Sequence, residues 1–568
     1  MKVFSFIFKI ILYTFILSGI FNSSHSKIIG FNYDAKYISN YFSGLVSFDN
    51  FDYVNSQKFL KRLDNFETKN QNYSSKFIQS LVNLEKYNEA YLYAKRLEAK
   101  DLSSFESNLI LGLFEFKKEN YTKAEFYFDR LKPTFKHRLI FDTLKNSLNY
   151  WLKIIKTKDE KSIKPIKEVK SIHNNLQFVQ NTFAHCYLDT SNTEKEFQNI
   201  INNEKSNFSR YHFFFANHLA NKKKISQAKK VINVASETYP RNLLINQFKA
   251  TLNTREKNKN QFNCKNIEQI IAEVFYVLAN ALSATSNYHL SNFYINLSKY
   301  LNPQFLSYQS LLAENFLILK KNNKAKNIYK RLAKIGSVYQ WYSHKQIAFI
   351  LLEEEDKSEK AVKYLLNAHS NMESNIYRTF DLANFLRNSE KYEKSIELYS
   401  SILLKIEKEH KLYPKVLDRR GIAYERIKNW ELAEKDLINS LKISPNDAHV
   451  MNYLAYSWIE RGENINKALG MLRKANNLEK NSGYITDSLG WALYKLNNFL
   501  EAKKYLQLAI VLMPRDPIIN DHFADCLWMN NKKIQARYYW KYVLSLDSAE
   551  EELKKIINDK LLFGLEKT

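Results

Sequence analysis

The sequence predicts an all-α protein, a solenoid of two-helix hairpins stacked into a superhelix, and three observations carry that expectation. Small and apolar residues recur in fixed positions every 34 residues through most of the 568, a period that belongs to helical-repeat architectures. Glycine and proline number only 11 and 8, which leaves few places to break the chain into unrelated domains. Tyr and Phe, with 37 and 38 copies, give helices ample apolar surface to bury against neighbours.

From the N-terminus, residues 1–26 place Lys2 and Lys9 before an apolar run from Ile10 to Phe21, followed by a short polar stretch with Ser24 and Ser26. That is the pattern of a Sec signal peptide cleaved after Ser26. The run is shorter than the ~20 residues a membrane helix needs, so membrane contact is expected only if the segment stays uncleaved. No cysteine directly follows it, and no lipid anchor is expected at this position.

The clearest copy of the repeat is Gly483 to Asp516, "GYITDSLGWALYKLNNFLEAKKYLQLAIVLMPRD". Leu489, Gly490, Leu493, Phe499, Ala502, Leu506, Ala509 and Pro514 fall at positions 7, 8, 11, 17, 20, 24, 27 and 32. Small residues at 8 and 20 let two helices approach to about 8–10 Å, and large apolar ones beside them fill the space. The proline ends the second helix and opens the turn to the next repeat. A hairpin this small cannot bury its own apolar face and must stack on neighbours. These marks resemble the tetratricopeptide-repeat (TPR) family, with one departure, Thr486, where that family carries a large aromatic residue. The resemblance implies a right-handed superhelical α-solenoid.

Repeats are expected to open at Tyr37, Gln71, Phe105, Ser209, Ala272, Leu306, Trp341, Ile376, Pro414, Ala448, Gly483 and Pro517, with single-residue insertions near Gly336, Glu353 and Arg461 and four extra residues before Pro414. Between Leu139 and Arg210 the pattern degenerates, but Phe141, Leu144, Leu148 and Trp151 keep helical spacing and predict one or two further hairpins. The polar stretch 254–266 lacks the period and reads as a linker between an N-terminal array, 27–253, and a C-terminal array, 267–550. A charged helix at 551–568 is expected to cap the open end of the stack.

Charge narrows the function classes little. The net charge of +26 comes from 85 Lys and Arg against 59 Asp and Glu, but it is diffuse, and phosphate contacts need clustered cations. No nucleic-acid partner is expected. Lys-rich segments such as "NKKKISQAKK" leave open an anionic polymer or membrane surface as partner of a cell-envelope assembly factor. The three cysteines, Cys186, Cys264 and Cys526, are odd in number and widely spaced. They read as buried free thiols, with one long-range pair open to an oxidising compartment.

No cofactor, metal or catalytic residue is expected. The stretch "NDHFADCLW", Asn520 to Trp528, groups His, Asp and Cys, but the repeat frame puts Phe523, Ala524 and Leu527 in the core. His522 and Cys526 could share a face as an i, i+4 pair, yet a zinc site needs three or four protein ligands and no second pair is evident. A metal-dependent hydrolase on those two is the least favoured reading. His212 and His218 fall at positions 4 and 10 of their repeat, the first expected to pack and the second to face solvent. Glu353, Glu354 and Glu355 read as a solvated helix end.

The TPR resemblance implies that positions 2, 5, 9, 12 and 13 line a concave groove. That selects Asn452 and Tyr456, then Tyr484, Asp487, Trp491 and Tyr494, then Asp521, Asp525 and Trp528. Aromatic rings offer contact area and the aspartates could pair with Lys, Arg or backbone N–H groups of a bound protein or peptide. Residues 452–528 also look like the end of exported TPR proteins of proteobacteria, among them a periplasmic lipoprotein scaffold of a carboxyl-terminal processing protease. That likeness implies a non-enzymatic periplasmic scaffold or adaptor, with a periplasmic protease among its partners.

Overall fold

The computed structural model describes residues 35–63, 71–132, 138–163, 172–203, 207–254 and 258–567. The signal segment and its cleavage point lie outside the described residues. The fold is an all-α helical-repeat solenoid. Among the described residues, the sole pairing of extended backbone outside helices is one antiparallel bridge, Asn260 to Phe305.

The 34-residue frame sets the helix starts. Helices begin at Gln71, Phe105, Ser209, Ile376, Ala448, Gly483 and Pro517, where repeats were expected to open. Ala35, Ile267, Ser337 and Tyr413 begin theirs slightly ahead of the expected residue, and Leu306 opens a 3-10 turn leading into Gln309–Ile318. The extra residue near Glu353 is absorbed as a π-helical turn, Ile350–Glu354, a common way for a helix to take up one insertion. The one near Arg461 is taken up where Gly462 and Asn464 adopt left-handed conformations. In the degenerate stretch, Arg138–Thr157 buries Phe141, Leu144, Leu148 and Trp151, and Ile172–Leu188 pairs with Thr193–Ile201.

Packing follows the small positions. A Cβ on Gly490 would lie 2.6 Å from Leu506 Cγ, and one on Gly112 would lie 2.3 Å from the Phe128 ring. Ala124, Ala228 and Ala502 are fully buried on the facing helices. Side chains close the helix ends: Ser104, Asp447, Ser482 and Asp516 cap first helices, and Asn120, Asn429 and Asn498 cap second ones.

The hairpin turns explain how the chain manages with so little glycine. Glu85, Glu119, Lys223, Lys320, Glu390, Lys428, Asn497 and Asn531 all sit at φ between 54° and 63°. The next amide reaches back to the first helix, as Lys86 N to Leu81 O, Asn498 N to Leu493 O and Lys532 N to Leu527 O, each 2.9 Å. This is a Schellman closure in which an L residue carries a left-handed cost of about 1–2 kcal/mol.

The chain divides into two compact units between Ser343 and His344. In the first, the hairpin Ile267–Ala284 and Tyr288–Leu301 forms the interior. Ile270, Ile271, Phe275, Phe293, Tyr294 and Leu297 have no solvent exposure. N-terminal hairpins close on it: Tyr87 Oη donates to Asn296 O at 2.9 Å, Lys299 pairs with Glu85 at 2.6 Å, and Phe51 stacks on His289 at 3.8 Å. Ile267–Ala284 is long and apolar enough to cross a membrane, and 56% of it is buried inside its own unit.

The stretch read as a linker, 254–266, lies inside this first unit rather than between the two. Asn260, Phe262 and Cys264 are buried. Its backbone accepts from Asn217 Nδ2 at Phe262 O, 2.6 Å, and from Asn302 Nδ2 at Gln261 O, 3.0 Å, and its Asn260 side chain accepts from Ser307 N at 3.1 Å. Polar composition here serves internal hydrogen bonding, which composition alone does not distinguish from a solvated loop.

The second unit stacks the hairpins opened by Ile376, Tyr413, Ala448, Gly483 and Pro517. Its core joins Trp458, Leu493, Leu506, Phe523 and Trp540, and the helix Glu551–Phe563 covers the end of the stack.

Candidate functional site

The residues expected to line a groove come from three first helices, Ala448–Arg461, Gly483–Lys495 and Pro517–Met529. The structure splits them into two groups. Asp487, Trp491, Asp521, Asp525 and Trp528 are all buried, at 5–9% exposure, and each is engaged within the chain. Tyr484 is 60% exposed, while Asn452, Tyr456 and Tyr494 are half-buried.

The buried group forms a polar and aromatic network. His522 Nδ1–H donates to the Asp487 carboxylate at 3.0 and 3.1 Å, and its ring stacks on Trp491 at 3.9 Å. Burial lowers the His522 pKa, but the Asp487 carboxylate outweighs it and holds the imidazole above its ordinary range. Trp491 Nε1 donates to Glu460 at 2.6 Å, and its ring lies 4.7 Å from Tyr494.

One helical turn further, Lys560 from the terminal helix inserts between two carboxylates. Its Nζ donates to both oxygens of Asp521 at 2.7 and 2.9 Å and to both of Asp525 at 2.9 and 2.8 Å. Trp540 Nε1 adds a 3.0 Å bond to Asp525. Burial and the Asp521 charge push the Asp525 carboxyl up to about 6, against the pull of Lys560. Trp528 packs beside Trp540 at 5.3 Å, under Lys533 and Arg537, with Gly564 pressed against its ring.

These contacts correct the groove expectation on one point. The aspartates are already engaged within the chain, Asp487 by His522 and Asp521 and Asp525 by a shared Lys560, so they are not open to Lys or Arg of a ligand. The sequence frame could not show that the terminal helix carries a lysine in register with two of them. The accessible part of the set is Asn452 and three tyrosines, Tyr456, Tyr484 and Tyr494. His522 and Cys526 also part company: Cys526 Sγ donates to Phe499 O at 3.5 Å and is a buried free thiol.

A second cluster lies in the first unit and was not foreseen. Cys186, on Ile172–Leu188, is disulfide-bonded to Cys264 across a Cα–Cα distance of 5.8 Å, within the ordinary span of about 4.4–6.8 Å. The expectation of free thiols therefore fails for this pair. His218, on Ser209–Asn221, is buried rather than facing solvent, because the segment around Phe262 and Cys264 packs over it. Its Nδ1 lies 3.1 Å from Cys186 Sγ and 3.9 Å from Cys264 Sγ. A cavity of about 200 Å³ opens beside the cluster. The cysteines stand 78 residues apart, too far for any local motif to reveal the pairing. His212, as expected, packs, with its ring 5.5 Å from Tyr239.

The lysine-rich segment is partly neutralised: Lys222 pairs with Asp189 at 2.8 Å and Lys224 with Glu194 at 2.5 Å. Glu353 and Glu354 are exposed at the π-helical turn, and Glu355 pairs with Lys357 at 2.9 Å.

No family model matches the chain. A TPR repeat-containing protein of Pseudomonas aeruginosa is 27% identical over 135 residues, which cover 23% of this chain and 22% of that protein. The chain thus matches about a fifth of the length of that curated relative. Among solved structures, a TPR protein of Thermus thermophilus aligns over 33% of this chain and all of its own, at 16% identity and a TM-score of 0.29. The APC/C hetero-tetramer Cut9–Hcn1 aligns over 94% of this chain and 97% of that one, at 12% identity and a TM-score of 0.38. A tetratricopeptide repeat protein of Parabacteroides merdae covers 50% of this chain and 97% of its own, at 13% identity and a TM-score of 0.32.

Proposed function

We propose that this array of TPR-like hairpins is an exported, non-enzymatic scaffold that holds protein or peptide partners against the first helices of its second unit. The observation that carries the reading is the set of tyrosines left accessible there, Tyr456 on Ala448–Arg461 and Tyr484 and Tyr494 on Gly483–Lys495. Tyrosine offers broad, fairly rigid contact area with a polar tip. With Asp487, Asp521 and Asp525 committed internally, the set suits extended segments bearing apolar side chains rather than basic ones. Export is supported by the signal-peptide pattern of residues 1–26 and by the Cys186–Cys264 disulfide, a bond that persists in oxidising compartments. The resemblance of residues 452–528 to exported repeat proteins extends the proposal to a periplasmic protease as one partner, with the scaffold presenting its substrates.

A photocrosslinking residue placed in cells at Tyr484, and separately at Val511 on a second helix, tests the reading; both positions are exposed, at 60% and 72%. Discrete adducts with exported proteins are expected at Tyr484 and not at Val511, and Tyr456→Ala with Tyr494→Ala should reduce them several-fold. Equal adducts at both positions, or adducts only with cytoplasmic proteins, would overturn it.

A further inference from the structure

Three side chains of ligand type converge in the first unit from three separate elements. Cys186 Sγ, His218 Nδ1 and Cys264 Sγ all lie within 4.8 Å of one another, and all three residues are buried. A tetrahedral zinc ion with Zn–S of ~2.3 Å and Zn–N of ~2.0–2.1 Å separates N from S by about 3.6 Å and S from S by about 3.8 Å. The observed Nδ1–Sγ distances of 3.1 and 3.9 Å bracket the first of these. Breaking the disulfide lets the sulfurs reach the second, since Cys264 sits on a non-helical segment.

The frame around the cluster is already built. Phe183, Phe214 and Phe262 pack edge to face or tilted around it, with centroids 4.5–5.4 Å apart. Asn217 Nδ2 fixes the Phe262 carbonyl at 2.6 Å, and Lys265 Nζ reaches Tyr187 O at 3.1 Å. The cavity beside His218 is lined by Asn217, Asn221, Lys222, Asn263 and Lys265. A metal held by three protein ligands would face it with one position open, the arrangement that distinguishes open zinc sites from closed structural ones.

We propose that reduction of the Cys186–Cys264 bond converts this cluster into a two-thiolate, one-imidazole site for a single zinc ion, and that oxidation closes it. The reductant is a dithiol. Its two electrons cleave the S–S bond, its two protons pass to Cys186 and Cys264, and it leaves as a disulfide. Zinc then displaces both thiol protons into solvent and takes the lone pair of neutral His218 Nδ1, so that two thiolates balance the charge of the ion. The same sulfurs cannot bond to each other and to the metal, which makes the two states exclusive. The inference does not depend on where the protein resides or on what those tyrosines bind.

The test uses the full chain and zinc chloride in competition with a chromophoric chelator. After reduction by a dithiol and its removal under anaerobic conditions, the protein is expected to bind one zinc per chain, and the oxidised protein at least 100-fold more weakly. Cys526→Ser should bind as the parent does. Cys186→Ser and Cys264→Ser should each lose the site, and His218→Gln should weaken it at least tenfold. Cobalt in place of zinc should give thiolate charge-transfer absorption in the reduced parent and in Cys526→Ser, and none in Cys186→Ser. Seating of the segment in His218→Gln is checked by its re-forming the disulfide on air oxidation. Absence of stoichiometric zinc in the reduced parent overturns the proposal, as does unchanged affinity in a correctly seated His218→Gln or in Cys186→Ser.

Discussion

Replacing Lys560 by Met removes the one cation between Asp521 and Asp525 while keeping an unbranched apolar stem in place. Lys560 is 6% exposed and meets four carboxylate oxygens at 2.7–2.9 Å. Deleting one partner of a buried ion pair costs about 3–5 kcal/mol, because the remaining charge has neither water nor a counter-ion. Protonation sets a ceiling. Converting one aspartate from its unfolded value to neutral at pH 7 costs about 4 kcal/mol, so the loss at pH 7 should be about 3–4 kcal/mol. Asp525 is the group that takes the proton, since its carboxyl already stands at about 6. A carboxyl raised in the folded state binds its proton more tightly there than in the unfolded chain, so lowering the pH through 6 restores stability. At pH 5 the loss should fall below about 2 kcal/mol. Hydrogen exchange over Pro517–Met529 and Lys533–Leu544, with urea unfolding followed by tryptophan fluorescence, reads the effect. A loss under about 1 kcal/mol, or one that does not change between pH 7 and pH 5, would refute the reasoning.

Five further outcomes follow from the same structure. His522, raised above its ordinary range by Asp487, stabilises as its protonated form; that contribution is complete below the unfolded pKa of ~6.5 and is lost as pH rises through the folded value. Asp487→Asn should flatten this alkaline-side slope in a pH series of urea midpoints. Gly490→Ala should destabilise by up to about 2 kcal/mol, since overpacking costs about 1–3 kcal/mol against a helix-propensity gain of about 1. Gly470→Ala, with nothing within 4 Å of the new Cβ, should instead stabilise by about 0.5–1 kcal/mol. Lys428→Gly, which relieves a left-handed residue at φ 63°, should stabilise by about 1 kcal/mol, measurable in the same unfolding series. Reducing the Cys186–Cys264 bond should lower the stability of the first unit by about 2–4 kcal/mol, seen as faster exchange around Phe262.

The repeat frame made most of the fold legible because its marks are packing constraints. Gly490 against Leu506 and Gly112 against Phe128 are contacts between positions 8 and 24, so the same pattern that names the repeat also places its helices. Insertions were visible as slips of register, although the π-helical form of one and the left-handed form of another were not. What escaped the sequence depends on contacts between distant segments. The polar run 254–266 looks like a linker until Asn217, Asn302 and Ser307 are seen to bind its backbone and side chains. Cys186, His218 and Cys264 belong to no local motif. Lys560 is one lysine among many until the cap sets it between Asp521 and Asp525. Which of the residues expected in a groove stay open is decided by those same long-range partners.

The most direct test of the scaffold account is hydrogen exchange on the full chain, with and without the partner captured at Tyr484. The account predicts slowed exchange confined to Ala448–Arg461 and Gly483–Lys495, reduced by Tyr456→Ala with Tyr494→Ala. Slowed exchange in the first unit alone, or none in these two helices, would contradict it.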